Sequence, residues 1–548
     1  RDFRARYGYA PYLVETFVSP DQKGTCFKAA NFRSIGQTKG RGRHATTHAC
    51  TLSKKKVLIY ELDPRWRAKL GVPHVELHPR LEVGKGLNAD QWTQQEFAEA
   101  ELGNRQRSRR LVLIVNLLST LMGRPVTAAP KRDPRGMAAY YGFLERADKY
   151  GITPAKVLAP HRGRTVERMR TQKTVLCLQD GTDISYSTRP ECEGLEVIGR
   201  NQTTCEAKGV HLHATLAIND EGLPLGVLRC AYRKKEGQTK TDRWIDGLLD
   251  IDEAAQTLPR KTRVLSVMDR EADAYAIFAA QKRCKRTDIL VRANHDRSLK
   301  GKDEQRLFKA MRKGPAAGHM SVSRLSHRAK SGRVTSEARI ASDVQLEVRY
   351  QKVTLPPTND KAAEPVRVWA IHVREVAPPP NAEAIEWYLL TTAEVSSLAK
   401  AEEIIEFFCL RWRLEDIFRM LKTGCKVEEL PMQQAGQLHL VITLYMVTAW
   451  RIMLMALLGR IQSGLPADLI FTETELDMLR VYARNYNEPE HTDLASAVLL
   501  MAMMGGYRNQ KHDPPPGYEI IWKGYTALQM RAITIEEWAS CDLVQRPS

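Results

Sequence analysis

The stretch Thr174-Val175-Leu176-Cys177-Leu178-Gln179-Asp180 changes the character of the chain. A short apolar run of this kind reads as a strand buried on both faces, here ending on a carboxylate. Two further apolar runs follow, Val210 to Ile218 and Leu223 to Tyr232. Between them Asn219-Asp220-Glu221-Gly222 signals a hairpin, because Asn and Asp bond their own backbone and Gly accepts a left-handed turn. Trp244 to Thr257 predicts a helix and Arg263 to Met268 a fourth strand, ending on Asp269. Ala272 to Lys282 predicts a second helix and Ile289 to Val291 a fifth strand.

Three strands joined by hairpins, then helix, strand, helix, strand, is the order of a ribonuclease-H-like α/β core. Further along, Val344, Leu346, Val348 and Tyr350 alternate with polar residues, and Val366, Val368 and Ala370 do likewise. Residues 301–375 therefore read as a β-rich insertion. The core resumes at Trp387-Tyr388-Leu389-Leu390-Thr391-Thr392, and one long helix is expected from Ser397 to Lys422. From Pro431 the pattern is mostly helical, broken late by Pro514-Pro515-Pro516-Gly517. Upstream, a polar stretch with Pro79 and Gly84–Gly86 reads as a linker. A helical segment follows from Ala89, with Arg105, Arg107, Arg109 and Arg110 leading into Leu111-Val112-Leu113-Ile114. A cationic helix start of this type suits phosphate contact, against the alternative of a solvated charged face, which such runs usually are.

The 548 residues suggest roughly three or four domains. Hydrophobic residues make up 43%, so disorder is not the expectation. The formal net charge of +19 implies a polyanionic partner, nucleic acid first, against the alternative of an ordinary basic enzyme. No two of the ten cysteines stand at a two-residue spacing, so no zinc knuckle is predicted and a reducing cytosol is. The opening on Arg1 rather than Met leads us to expect missing or processed first residues. Leu440 to Leu458 is apolar but interrupted by Arg451, which reads as a buried helix or subunit contact rather than a membrane span.

Asp180 and Asp269 each follow a strand. In a ribonuclease-H-like sheet those strands are neighbours, so the two acids come together at one edge. Close carboxylates repel unless a cation lies between them, and magnesium suits an all-oxygen set. Read singly, each Asp serves as well as a helix N-cap or turn residue. Glu415 is the third acid. On a continuous helix of about 100° per residue, Phe408, Arg411, Arg419 and Lys422 all fall within roughly 40° of it. Such a face would lay cations along a phosphate backbone while the acid reaches a metal. The alternative is that Glu415 pairs with Arg411 and Arg419 one turn away.

The spacing Phe408-(2)-Arg411-(3)-Glu415-(6)-Lys422 resembles the Y-(2)-R-(3)-E-(6)-K motif of the insertion-sequence-four family of DDE transposases, with Phe in place of Tyr. Asp269-Arg270-Glu271-Ala272-Asp273 and Gln179-Asp180-Gly181-Thr182, followed by Ser185-Tyr186, are similar to the surroundings of that family's first two catalytic acids. Leu158-Ala159-Pro160-His161-Arg162, Gly505-Gly506-Tyr507, Asp513 to Gly517 and Trp522-Lys523-Gly524 extend the likeness from about Asn88 to Gly524. The resemblance implies a helical DNA-binding domain at 88–165 and a ribonuclease-H-like catalytic core at 166–300 and 376–430. It also implies a β-strand insertion at 301–375 and a helical dimerisation region at 431–548. It implies Asp180, Asp269 and Glu415 as catalytic ligands of two Mg2+ ions, with Mn2+ a substitute. It implies DNA contacts by Arg105, Arg109, Arg110, Arg292, Trp387, Phe408, Arg411, Arg419 and Lys422. Trp387 would stack on a flipped base, or simply open a core strand. The implied partners are double-stranded DNA, as inverted-repeat ends and target, and a second copy of the chain. No membrane is implied, and a bacterial cytoplasmic, nucleoid-associated location is.

Residues 1–75 fall outside that resemblance. Arg6-Tyr7-Gly8-Tyr9 and Gly24 to Asn31 resemble the end of a DruA-like domain, read as a partial accessory domain. Gln37, Gly40 and Gly42 are similar to an acetyltransferase pyrophosphate loop, a short pattern of little weight without its strand and helix. The competing functional reading is a domesticated or defence-associated DNA-binding protein with a vestigial nuclease core.

Overall fold

The computed structural model describes residues 13–20, 32–38 and 53–61 with a few isolated neighbours. It then describes 92–121, 123, 134–189, 191–200, 206–232, 238–300, 306–324, 342–357, 364–378, 384–461, 464–510 and 513–539. The chain forms two compact units, residues 1–79 and 80–548. In the first, β1 (Leu13–Val18), β2 (Arg33–Gln37) and β3 (Lys56–Glu61) form an antiparallel sheet in the order β1-β3-β2. Gln37 ends β2. Gly40, Gly42, the Arg6 to Tyr9 motif, most of Gly24 to Asn31 and the linker with Pro79 and Gly84–Gly86 lie outside the described residues.

The second unit is a mixed α/β structure. It opens with α1 (Trp92–Phe97), α2 (Arg105–Thr120), α3 (Pro134–Glu145) and α4 (Pro154–Arg170). The helix expected from Ala89 is thus two helices, parted at Gly103 with its positive φ of 84°. Asn104 then caps α2 by accepting the Arg107 N–H at 2.9 Å. A buried ionic network ties α1 and α4 to the sheet. His161 Nδ1 meets Glu96 Oε2 at 2.6 Å, and Arg168 Nη1 donates to Glu96 Oε1 at 2.6 Å. His161 Nε2 accepts the Val227 N–H at 3.0 Å, which fixes the ring as the neutral Nδ1–H tautomer.

The sheet comprises β4 (Thr174–Ser185), β5 (Glu196–Arg200), β6 (Glu206–Asn219), β7 (Pro224–Ala231), β8 (Arg263–Met268) and β9 (Thr287–Arg292). It continues through β10 (Gly318–Arg324), β11 (Ser342–Leu355), β12 (Val366–Glu375) and β13 (Glu386–Thr391). Its order is β10-β11-β12-β13-β9-β8-β4-β6-β5, with β7 also on β6. β4, β8 and β9 are mutually parallel, and every other pairing is antiparallel. The β6–β7 turn forms as the sequence demands. Asn219 Oδ1 accepts the Glu221 and Leu223 N–H groups at 3.1 and 2.8 Å, and Gly222 takes φ +84°.

Two element boundaries differ from expectation. β4 does not end at Asp180 but runs on to Ser185, because β6 continues to pair with it beyond the point where β8 leaves. The helix expected at Ala272 begins at Tyr275, after a 3₁₀ turn over Arg270–Ala272. The β-rich stretch of residues 301–375 extends the same sheet outward, since β13 returns antiparallel to β9 and carries β12, β11 and β10 beyond it.

One face of the sheet is covered by α5 (Lys240–Gln256), α6 (Tyr275–Gln281) and α7 (Leu307–Lys313). There Trp244, Leu248, Met268, Phe278, Val291, Val368 and Leu390 form one core cluster. Towards the C-terminus come α8 (Leu398–Cys409), α9 (Trp412–Arg419), α10 (Ala435–Ile461), α11 (Glu473–Asn485), α12 (Leu494–Met504) and α13 (Tyr518–Ala539). α10 is long and apolar enough to cross a membrane, but its whole apolar window is buried inside the protein. Arg451 lies within it, over the Trp92 ring at 4.8 Å. α12 and α13 meet backbone to backbone. A Cβ on Gly524 would collide with the Met501 carbonyl, and one on Gly505 would stand 2.6 Å from the Gly524 nitrogen.

Candidate active site

Register brings the site together. Pairing of β4 with β8 ends at Leu178 and Val267, and Asp180 and Asp269 each lie two residues further on. Side chains alternate across a strand. Gln179 and Met268 face α5, with Gln179 Nε2 donating to Ser266 Oγ at 2.8 Å, so Asp180 and Asp269 both face the opposite side. Val291 pairs with Met268 and also faces α5. Arg292, the last residue of β9, therefore shares the face of Asp269. Leu389 pairs with Arg292, and Trp387 stands two residues before it on that same face. The outcome is two acids, a cation and an indole on one face, where the parallel strands part. Openings at the carboxyl ends of parallel strands are where α/β sheets bind ligands.

Glu415 comes from α9, which packs against β4. The single helix expected from Ser397 to Lys422 is in fact broken. After α8 the chain passes through i→i+3 bonds, Arg411 N–H to the Phe408 carbonyl and Leu414 N–H to the Arg411 carbonyl, both at 3.1 Å. α9 then runs to Arg419 and gives way to a π-helical turn over Met420–Gly424. The uniform 100° projection fails across these joints. Arg411 remains beside Glu415, whereas Arg419 turns to Asp416 at 3.2 Å and Lys422 rides on the π turn. There Lys422 adds to the pull of the His211 bond that lowers the Asp183 pKa.

Arg411 bridges two of the acids. Its Nη1 donates to Asp180 Oδ2 at 2.7 Å and its Nη2 to Glu415 Oε1 at 2.6 Å. Asp269 Oδ1 accepts the Glu271 N–H at 2.7 Å, so the N-cap role open to it in sequence is also realised. Phe408 is buried and meets Trp387 edge to face, with ring centroids 5.6 Å apart. Phe408 thus holds Trp387 and flanks Arg411, whose guanidinium carbon lies 5.9 Å from its ring. Burial pushes the Asp180 carboxyl up to about 7, Arg411 opposes that, and the charges of Asp269 and Glu415 reinforce it. Asp180 therefore feels the charges of both other acids. Among the described residues no three His, Cys, Asp or Glu side chains stand as a ready metal cage. The donor set itself, three carboxylates without sulfur or imidazole, fits a hard divalent cation.

Arg105, Arg109 and Arg110 are not part of this cluster. They lie exposed on α2, near a helix start where the macrodipole disfavours cations. Arg107, between them, is used internally, over the Tyr150 ring at 3.6 Å. Sequence reasoning missed the Arg411 bridge to Asp180 and the Asp183–His211 pair at 2.6 Å beside the site. The i, i+4 spacing of Arg411 and Glu415 signalled only half of that bridge. A scan against models of known protein families gives no match for this chain.

Proposed function

We propose that the chain is a DDE transposase of the insertion-sequence-four type, which cuts and joins DNA at transposon ends. The observation that carries this reading is the convergence of Asp180, Asp269 and Glu415 where β4 and β8 separate, with Arg292, Trp387, Phe408 and Arg411 around them. The order β7-β6-β4-β8-β9, with β4, β8 and β9 parallel, supports a ribonuclease-H-like assignment. The net charge of +19 supports a nucleic-acid substrate.

Asp180, Asp269 and Glu415 would hold two Mg2+ ions, or Mn2+ in their place. When bound, these ions supply activation of an attacking oxygen and stabilisation of the leaving one. The chain's own residues do the positioning. Arg292 and Lys422 hold phosphates flanking the scissile bond, and exposed Arg419 extends that track. Trp387, braced by Phe408, stacks on an unpaired base so that the DNA end can bend. With the end so held, water cuts one strand and the new 3′-hydroxyl attacks the opposite strand to close a hairpin. Water reopens the hairpin, and the 3′-hydroxyl joins to target DNA. Arg105, Arg109 and Arg110 bind the end at a distance from the chemistry, and the 431–548 helices pair two copies in a synaptic complex in the bacterial cytoplasm. The test is Mg2+-dependent cleavage of DNA taken from either side of the gene, at any inverted repeats found there. Binding to those ends without cleavage under any divalent cation would favour a vestigial core.

A further inference from the structure

Two buried arginines in this protein are held differently. Arg168 has all its nitrogens engaged, through Nε to the Leu225 carbonyl, Nη1 to Glu96, and Nη2 to Glu96 and Thr165. Arg411 is 8% exposed, yet its Nε has no hydrogen-bond partner. It is held by two carboxylate oxygens and flanked by the rings of Phe408 and Trp412, 5.9 and 5.4 Å from its guanidinium carbon. Buried arginines in structural roles usually have their donors satisfied, as Arg168 does, and although Arg243 also leaves its Nε unpaired, only Arg411 of the two is held by carboxylates of the candidate site. Arg411 instead sits in the short turn between α8 and α9, attached chiefly to oxygens that the proposed function assigns to metal.

We propose that Arg411 is an internal counterion that competes with a divalent cation for Asp180 and Glu415, and that a DNA phosphate draws it away. This rests on reading the site as a metal-dependent nuclease. Asp180 Oδ2 and Glu415 Oε1 cannot point the same lone pairs at Arg411 and at an ion, and a guanidinium beside a divalent cation is repelled by it. A phosphodiester offers the displaced planar guanidinium two non-bridging oxygens that match its fork. DNA and metal would then bind cooperatively, each raising the affinity for the other by the same factor. The protein would be guarded against loading its hydrolytic centre without a substrate.

The test uses the full chain with Mn2+ alone as probe, the free ion being counted by electron paramagnetic resonance. Arg411→Gln should bind Mn2+ on the order of tenfold more tightly than wild type, and Arg411→Lys, which keeps the charge but loses the fork, should fall between them. With Ca2+ present, wild type should gain affinity for a short duplex by fluorescence anisotropy, with a clearly smaller gain in Arg411→Gln. Equal Mn2+ affinity in wild type and Arg411→Gln, with uptake lost in Asp180→Ala, would overturn the competition and leave the metal site standing. Wild-type affinity in Arg411→Lys alongside tighter binding in Arg411→Gln would mean that charge, not the bridge, sets affinity. No uptake by wild type or Arg411→Gln would overturn the metal site and this inference together.

Discussion

Replacing Glu96 with Gln tests the network that joins the α1–α4 helices to the sheet. The Glu96 side chain is 0% exposed and that of Arg168 is 5% exposed. Gln keeps the shape and can still accept from His161 Nδ1, but it leaves the Arg168 charge buried without its counterion. Removing one partner of a buried pair costs about 3–5 kcal/mol. Arg168 retains the Leu225 carbonyl and lies 4.6 Å from the Trp450 ring, so the lower end applies, about 3 kcal/mol. With an m-value of about 3 kcal/mol/M, the urea midpoint of the second unit falls by about 1 M. The double change Glu96→Leu with Arg168→Met removes both charges and should cost less than half as much.

The pH dependence has a definite sign. Burial pushes the Glu96 carboxyl up, but the Arg168 charge and the hydrogen bonds from His161 and Arg168 outweigh it and bring it down to about 2. A depressed carboxylate stabilises the fold above its ordinary value of 4.5, and that contribution is lost as pH falls towards 2. The gap between wild type and Glu96→Gln should therefore be constant near neutrality and narrow below about pH 4.5. A midpoint shift under about 0.3 M, or a double variant as unstable as the single, would refute the assignment of a buried, mutually dependent pair.

Gly524→Ala should destabilise the α12–α13 contact by about 2–3 kcal/mol in denaturant melts, because the neighbour is backbone and cannot yield. Trp387→Ala should weaken binding of a DNA end with an unpaired base by about 1–3 kcal/mol in anisotropy titrations, with fully paired duplex unaffected. Arg109→Ala with Arg110→Ala should lower the slope of log affinity against log salt by about 2, read from a salt titration.

The strands of the core were legible because their burial leaves short apolar runs, and the Asn219 to Gly222 turn because its chemistry is local. The whole-helix burial of α10 was legible from its composition. What escaped depended on neighbours. Nothing within Thr174 to Ser185 tells where β8 ceases to accompany β4, so Asp180 read as a strand end. Phe407-Phe408-Cys409-Leu410-Arg411-Trp412 contains no Gly or Pro, so the break that turns Arg411 towards Asp180 left no signal in the sequence. Glu96 and His161 are 65 positions apart, and only the two-turn spacing of His161 and Arg168 hinted at a shared polar face.

The most direct measurement incubates the purified chain with Mg2+ and DNA taken from either side of its gene, beside Asp180→Asn, Asp269→Asn and Glu415→Gln. Wild type should cleave at the transposon ends and give a hairpin product on denaturing gels, and each variant should lose both while still binding the ends. Cleavage that survives all three substitutions would contradict the catalytic roles of Asp180, Asp269 and Glu415.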